Sequence, residues 1–162
     1  MRLPWRWGGL GHAGKRRNLI SMTVPYLACM ALVAQIYGLP PRVLPSIQAV
    51  EGGALGVMHR NTDGSTDLGI MQINTLWLPA LSRYTRLDPA EVQDRLLHRA
   101  CFNIAAAGLI LRTYLDETRG DLMPAIGNYH SHTPLLNHGY QTKVRQSAAA
   151  MFARSPPIVA ER

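Results

Sequence analysis

The 162-residue chain holds two cysteines, Cys29 and Cys101, only two phenylalanines and three tryptophans, and 17% charged residues. Two cysteines exclude a disulfide-dense mini-protein, and the lack of a CxxC pair excludes the usual structural zinc modules. Of the six histidines, His59, His130, His132 and His138 have no tight ligand spacing, so no metal and no other cofactor is expected. Scarce charge combined with 47% hydrophobic residues excludes intrinsic disorder. The longest apolar run, Leu19 to Tyr37, is broken by Pro25 and Gln35, which argues against a stable membrane span. There are no repeats and no second domain.

Acidic residues are absent from the first fifty positions, which carry six basic side chains: Arg2, Arg6, Lys15, Arg16, Arg17 and Arg42. Residues 51–162 hold eleven basic against ten acidic side chains, so most of the net charge of +7 belongs to a Gly-rich head before Asn18. A basic head followed by an apolar run has the layout of an export signal. Residues 1–26 are therefore read as that signal, or as an extension ahead of a start at Met22. Residues 27–153 are read as one domain and 154–162 as a tail. Nucleic-acid binding through the head is disfavoured, since Trp5 and Trp7 are its only interleaved aromatics.

The domain reads as mainly helical. After Pro25, Ala28, Ala31, Leu32, Gln35 and Ile36 recur at helical spacing. Gly38-Leu39-Pro40-Pro41 separates this helix from a second, with Val43, Leu44, Ile47 and Val50 as its stripe and Gly52-Gly53 as its stop. Asn61 to Ser65 is a turn, and Thr66 to Asn74 a short extended piece running into a helical turn. Asp88 and Glu91 suggest a capping box for a further helix. The longest helix is expected over about Ala100–Thr118, with Phe102, Ile104, Ala107, Leu111, Tyr114 and Leu115 inward. Two more are expected over 121–130 and 139–153.

Glu51 lies at i+7 from Leu44 and i+4 from Ile47, so it continues an apolar stripe into the last turn of its helix. Partial burial and the negative end of the helix dipole both favour the protonated carboxyl. A carboxylic acid kept neutral near pH 7 is what general-acid cleavage of a glycoside requires. Gly52 and Gly53 leave room beside it for a bulky substrate.

Three ordered motifs carry a resemblance: Val50-Glu51-Gly52-Gly53, then Asp67-Leu68-Gly69-Ile70-Met71-Gln72-Ile73-Asn74, then Ala125-Ile126-Gly127-Asn128-Tyr129-His130. Together they resemble the soluble lytic transglycosylase (SLT) domain, over about residues 27–153. The likeness is to the small specialised enzymes of type III and type IV secretion, conjugation and pilus systems, whose Asn-Thr-Asp-Gly-Ser turn matches Asn61–Ser65. The resemblance implies a goose-type lysozyme-like fold and a periplasmic or exported lyase acting on peptidoglycan of the cell wall. Glu51 would be the sole catalytic acid/base. It would cleave the MurNAc–GlcNAc β-1,4 bond with formation of 1,6-anhydro-MurNAc.

By the same resemblance Gln72 would bond the sugars, and Tyr129 would point its hydroxyl at Glu51. Met71, Asn74 and His130 complete the candidate substrate-binding set, although Met71 and Ile73 are equally read as core. Asp63 is read as a turn residue and Asp67 as a fastener of the backbone before Gly69, leaving no second catalytic carboxylate of the ordinary glycosidase kind. The chain departs from the pattern at Gly52, where serine is usual, and at His130, where asparagine is usual. Related secreted enzymes join cysteines placed like Cys29 and Cys101. The alternative is two buried free thiols. The expected partners are glycan strands and components of a secretion, conjugation or pilus apparatus, with the chain itself a monomer. A water-using lysozyme-type muramidase and a non-catalytic glycan- or partner-binding module remain the alternatives.

Overall fold

A computed structural model describes residues 26–153. The basic head, with its expected export signal, and the tail after Ala153 lie outside the described residues. Seven helices and one small antiparallel sheet make up a mainly α, lysozyme-like domain: α1 Leu27–Tyr37, α2 Val43–Glu51, β1 Met58–Arg60, β2 Thr66–Leu68, β3 Ile73–Asn74, α3 Leu78–Thr85, α4 Pro89–His98, α5 Ala100–Glu117, α6 Leu122–His130 and α7 Pro134–Phe152. A 3₁₀ turn, Thr75–Trp77, joins β3 to α3.

Helix α5 is the hub: α1, α4 and α6 pack against it, and it also touches α2 and β3. Its inward face is Asn103, Ile104, Ala106, Ala107, Gly108, Ile110, Leu111 and Leu115. Phe102 and Tyr114, expected inside, are only partly buried. Gly108 is required by the α1 contact, because a Cβ there would stand 2.3 Å from Val33 Cγ1 and 2.8 Å from the Tyr37 ring. α2 and α6 both pack against α7.

Several expectations are corrected. α1 buries Met30, Val33 and Ala34, whereas Leu32 and Ile36, expected inward, are 58% and 63% exposed. The helix is apolar nearly all round, so periodicity could not select the face. α3 was not anticipated, and the longest helix is α7, at 19 residues against 18 for α5. At α4 the Asp88 side chain makes no capping bond, and Glu91 pairs with Arg95 at 2.5 Å instead.

The sheet has the order β1–β2–β3, with His59 opposite Asp67 and Asp67 opposite Asn74. Its first hairpin is closed by the expected turn: the Asn61 N–H donates to Ser65 O at 2.9 Å, and the Ser65 N–H to Asp63 Oδ1 at 2.9 Å. The second connection is held from beneath by Asn103, which is fully buried in the apolar stripe of α5. Its Nδ2 donates to Leu68 O and Leu96 O at 2.8 Å each, and its Oδ1 accepts from the Met71 N–H at 2.8 Å. Gly69 sits above it at φ +69°, where a Cβ would stand 2.3 Å from Leu96 O and 2.5 Å from Asn103 Nδ2. Only glycine satisfies both the left-handed backbone and the close approach.

Cys29 on α1 and Cys101 on α5 form a disulfide, with Cα atoms 5.5 Å apart. It ties the first helix to the hub across 72 residues of chain. Among the described residues no helix is long and apolar enough to cross a membrane.

Candidate active site

The end of α2, the sheet and α6 enclose a cleft of about 270 Å³. Glu51 lines one wall, and Asn61, Asp63, Ser65, Asp67, Gln72 and Asn74 line the sheet side. Trp77, Tyr129 and His130 supply aromatic rings. Glu51 reaches this place because Leu44 and Ile47, two turns and one turn earlier on the same face, are fully buried and fix the roll of α2. The helix then stops at Gly52, whose φ of +63° lets its N–H return to Gln48 O at 2.9 Å. A side chain would be strained in that left-handed conformation, which suits the glycine there.

Gly53 brings the two motif segments together. A Cβ there would lie 2.2 Å from Gly69 O and 2.8 Å from Ile70 O, both backbone atoms that cannot swing aside. The chain after the acid thus lies directly against the turn that carries Gln72. Gln72 itself has φ +49°, and its Nε2 donates to Gly69 O at 2.7 Å, which aims the amide along the cleft wall.

The Glu51 carboxyl is pushed above its ordinary value, first by burial and then by the negative charge of Asp67. A hydrogen bond from Tyr140 and the positive charge of Lys143 act the other way without overcoming burial. The shift is in the direction that favours the protonated carboxyl.

The hydroxyl that orients Glu51 belongs to Tyr140, which donates to Glu51 Oε1. The sequence pointed to Tyr129 for this task, and the structure corrects that. Tyr129 leaves its ring on the cleft but donates its hydroxyl to Met71 O at 2.9 Å. Burial raises both phenols, so each stays an O–H donor. Tyr140 was missed because it lies ten residues beyond the third motif. Its signal was a narrow stripe, Asn137, Tyr140 and Val144, which are the buried residues of α7.

The other candidates fall into two groups. Gln72, Asn74 and His130 line the cleft, whereas the Met71 side chain is fully buried and cannot reach a ligand. Asn74 is also structural: its Oδ1 accepts from the Leu76 N–H at 2.9 Å, and its Nδ2 donates to Asp67 Oδ1 at 2.8 Å and Ser65 Oγ at 2.9 Å. Asp67 accepts a second bond from Asn61 Nδ2 at 3.1 Å, so its carboxylate fastens side chains across the hairpin. Asp63 makes the turn, and its two bonds from Ser65 hold it below the usual carboxylate range.

Two supports stand behind the walls. Trp77 meets Tyr114 edge-on with ring centroids 5.7 Å apart, and Tyr114 meets His132 likewise at 5.3 Å. Asn137 joins α7 to α6 through bonds to Asn128 Oδ1 at 2.7 Å and Ser131 O at 3.2 Å. A Cβ at Gly127 would stand 2.1 Å from Asn137 Oδ1, so glycine in the third motif serves helix packing. No group of three or more His, Cys, Asp or Glu among the described residues is arranged to hold a metal ion.

A small sheet beside a helical body, with one poised carboxyl at the end of a buried helix, defines a domain of the lysozyme-like class. Against known proteins the chain matches no protein-family profile. It is similar to the invasion protein IagB of Salmonella typhimurium, strains SL1344 and LT2, and of Salmonella typhi. Each is 29% identical over 119 residues, covering 71% of this chain and 69% of the relative.

Proposed function

We propose that the protein is a peptidoglycan lytic transglycosylase, with Glu51 as its single acid/base. The observation that carries this reading is the placement of Glu51: on the wall of a polar cleft, raised by burial, and steered by the Tyr140 hydroxyl. Amides from Asn61, Gln72 and Asn74 and rings from Trp77 and Tyr129 suit a polyhydroxylated, acetamido-bearing chain.

In the first step the Glu51 carboxyl gives its proton to the glycosidic oxygen while the bond from that oxygen to the muramoyl C1 breaks. The muramoyl acetamido oxygen stabilises the electron-poor C1. In the second step the Glu51 carboxylate takes the proton of the muramoyl C6 hydroxyl as O6 bonds to C1. The 1,6-anhydro ring closes, Glu51 regains its proton, and no water is consumed. One carboxyl suffices for both steps, which agrees with Asp67 and Asp63 being engaged in fastening the hairpin.

The similarity to a protein named for invasion supports a role in opening the wall locally for an envelope-spanning machine. The disulfide supports an oxidising compartment, hence export. Digestion of purified sacculi followed by mass spectrometry of the released muropeptides tests the reaction. Anhydro products are expected, and Glu51→Gln should lower their release by about 10²–10⁴-fold, the usual contribution of a general acid. Products one water heavier would make the protein a hydrolase. Undiminished release by Glu51→Gln would remove Glu51 from the chemistry.

A further inference from the structure

His130 is the last residue of α6 and lies flat on Tyr140, with ring centroids 5.0 Å apart and planes 10° from parallel. This stacking fixes the ring on the phenol that orients Glu51, and one edge of the imidazole remains exposed at the cleft. Among the described residues neither ring nitrogen has a hydrogen-bond partner, whereas the ring nitrogens of His98 and His132 are engaged by Asp94 and Glu117. The rest of the lining is electrostatically one-sided. Its ionisable residues besides His130 are Glu51, Asp63, Asp67 and Tyr129, and no lysine or arginine lines it. The positive charge felt by Glu51 comes from Lys143, one turn beyond Tyr140 on α7. The cleft thus has an acidic sheet wall, and His130 at the end of α6 is the one nitrogen-bearing ring with a free donor edge among its lining residues.

From this geometry we infer that His130 is a substrate-contacting, specificity-determining residue that binds a carboxylate carried by the glycan. The inference rests on the glycan reading above and names which chemical group sets the register of the strand. The carboxylate has two sources: the lactyl group of a peptide-free muramoyl residue, or the stem peptide of a substituted one. In either case the imidazole N–H donates to the carboxylate, and the acidic sheet wall repels the same group from the opposite register. A sugar chain is thereby threaded in one direction past Glu51.

The test measures binding of full-length chain in the Glu51→Gln background, so that no ligand is consumed. Three probes are used: a peptide-free GlcNAc–MurNAc tetrasaccharide, the same compound as its methyl ester, and the tetrapeptide-bearing form. Without the histidine substitution, one or both carboxylate probes should bind about tenfold tighter than the ester, the scale of one charge-assisted hydrogen bond at an exposed edge. His130→Asn should erase that preference. His130→Arg, a planar cation able to lie on the same phenol, should restore it. Preference for the peptide-free acid assigns the contact to the lactyl group, and preference confined to the peptide form assigns it to the stem. Equal binding of acid and ester, a preference that survives His130→Asn, or no rescue by arginine would overturn the inference while leaving the glycan reading intact. Binding of none of the three probes would overturn the glycan reading itself.

Discussion

Tyr140 does two opposed things to Glu51: it points the carboxyl into the cleft, and its hydrogen bond favours the ionised form. Tyr140→Phe should therefore lower kcat while moving the alkaline limb of the rate profile to higher pH. A residue that merely filled space would lower kcat with no movement of the limb, and a pH series on soluble glycan decides between them. Glu51 also makes a stability prediction. Its folded value lies above the ordinary 4.5, so between these two values the folded state binds more protons than the unfolded one. Stability conferred through this group falls as pH rises across that window. Glu51→Gln, which keeps an acceptor for Tyr140, should become steadily more stable relative to the parent over the same window and show a constant difference below it. Urea denaturation at a series of pH values measures this. At this scale the burial of Glu51 was legible, because its stripe is local to one helix. The sequence could not announce Tyr140, whose role depends on a contact across 89 positions.

Among the elements, those with a burial pattern of their own were legible: α2, α4, α5 and α6. The ones missed had none. β1 is exposed at all three residues, so it shows no alternation, and α3 buries only Leu81 and carries a proline near its start. Residues that join elements were equally hidden. Asn103 reads as a polar interruption in the apolar stripe of α5, yet it secures the connection that carries Gln72. Asn103→Ala would leave the Met71 N–H and the Leu68 and Leu96 carbonyls without partners in the core. At about 1–3 kcal/mol for each orphaned group, the loss should reach about 3 kcal/mol or more. Chemical denaturation of the variant checks it. Asn103→Leu, closer in volume, should fare no better, since the cost comes from the stranded backbone groups and not from a void.

For the molecule as a whole, the disulfide is the constraint with the longest reach. By loop-closure entropy a 72-residue span should contribute about 4 kcal/mol, so the Cys29→Ala/Cys101→Ala protein should melt well below the parent in calorimetry. Reduction of the parent should reproduce the shift, while a variant lacking both cysteines should be insensitive to reductant. The charge distribution also looks different at this scale. Most of the +7 of the chain belongs to the head before Asn18. The cleft itself is lined by the carboxylates Glu51, Asp63 and Asp67 and by no lysine or arginine, a local polarity invisible to a total.

The contact of Glu51 with Tyr140 bears on when the proposed site is complete. A ribosome, or an export channel that threads the chain from its N-terminal end, delivers the acid well before α7. Until that last helix docks, Glu51 has neither its donor nor the packing of α7 against α2. The order of amino acids thus acts as a timer, and under the proposed function a chain interrupted before residue 140 should release no muropeptides from sacculi.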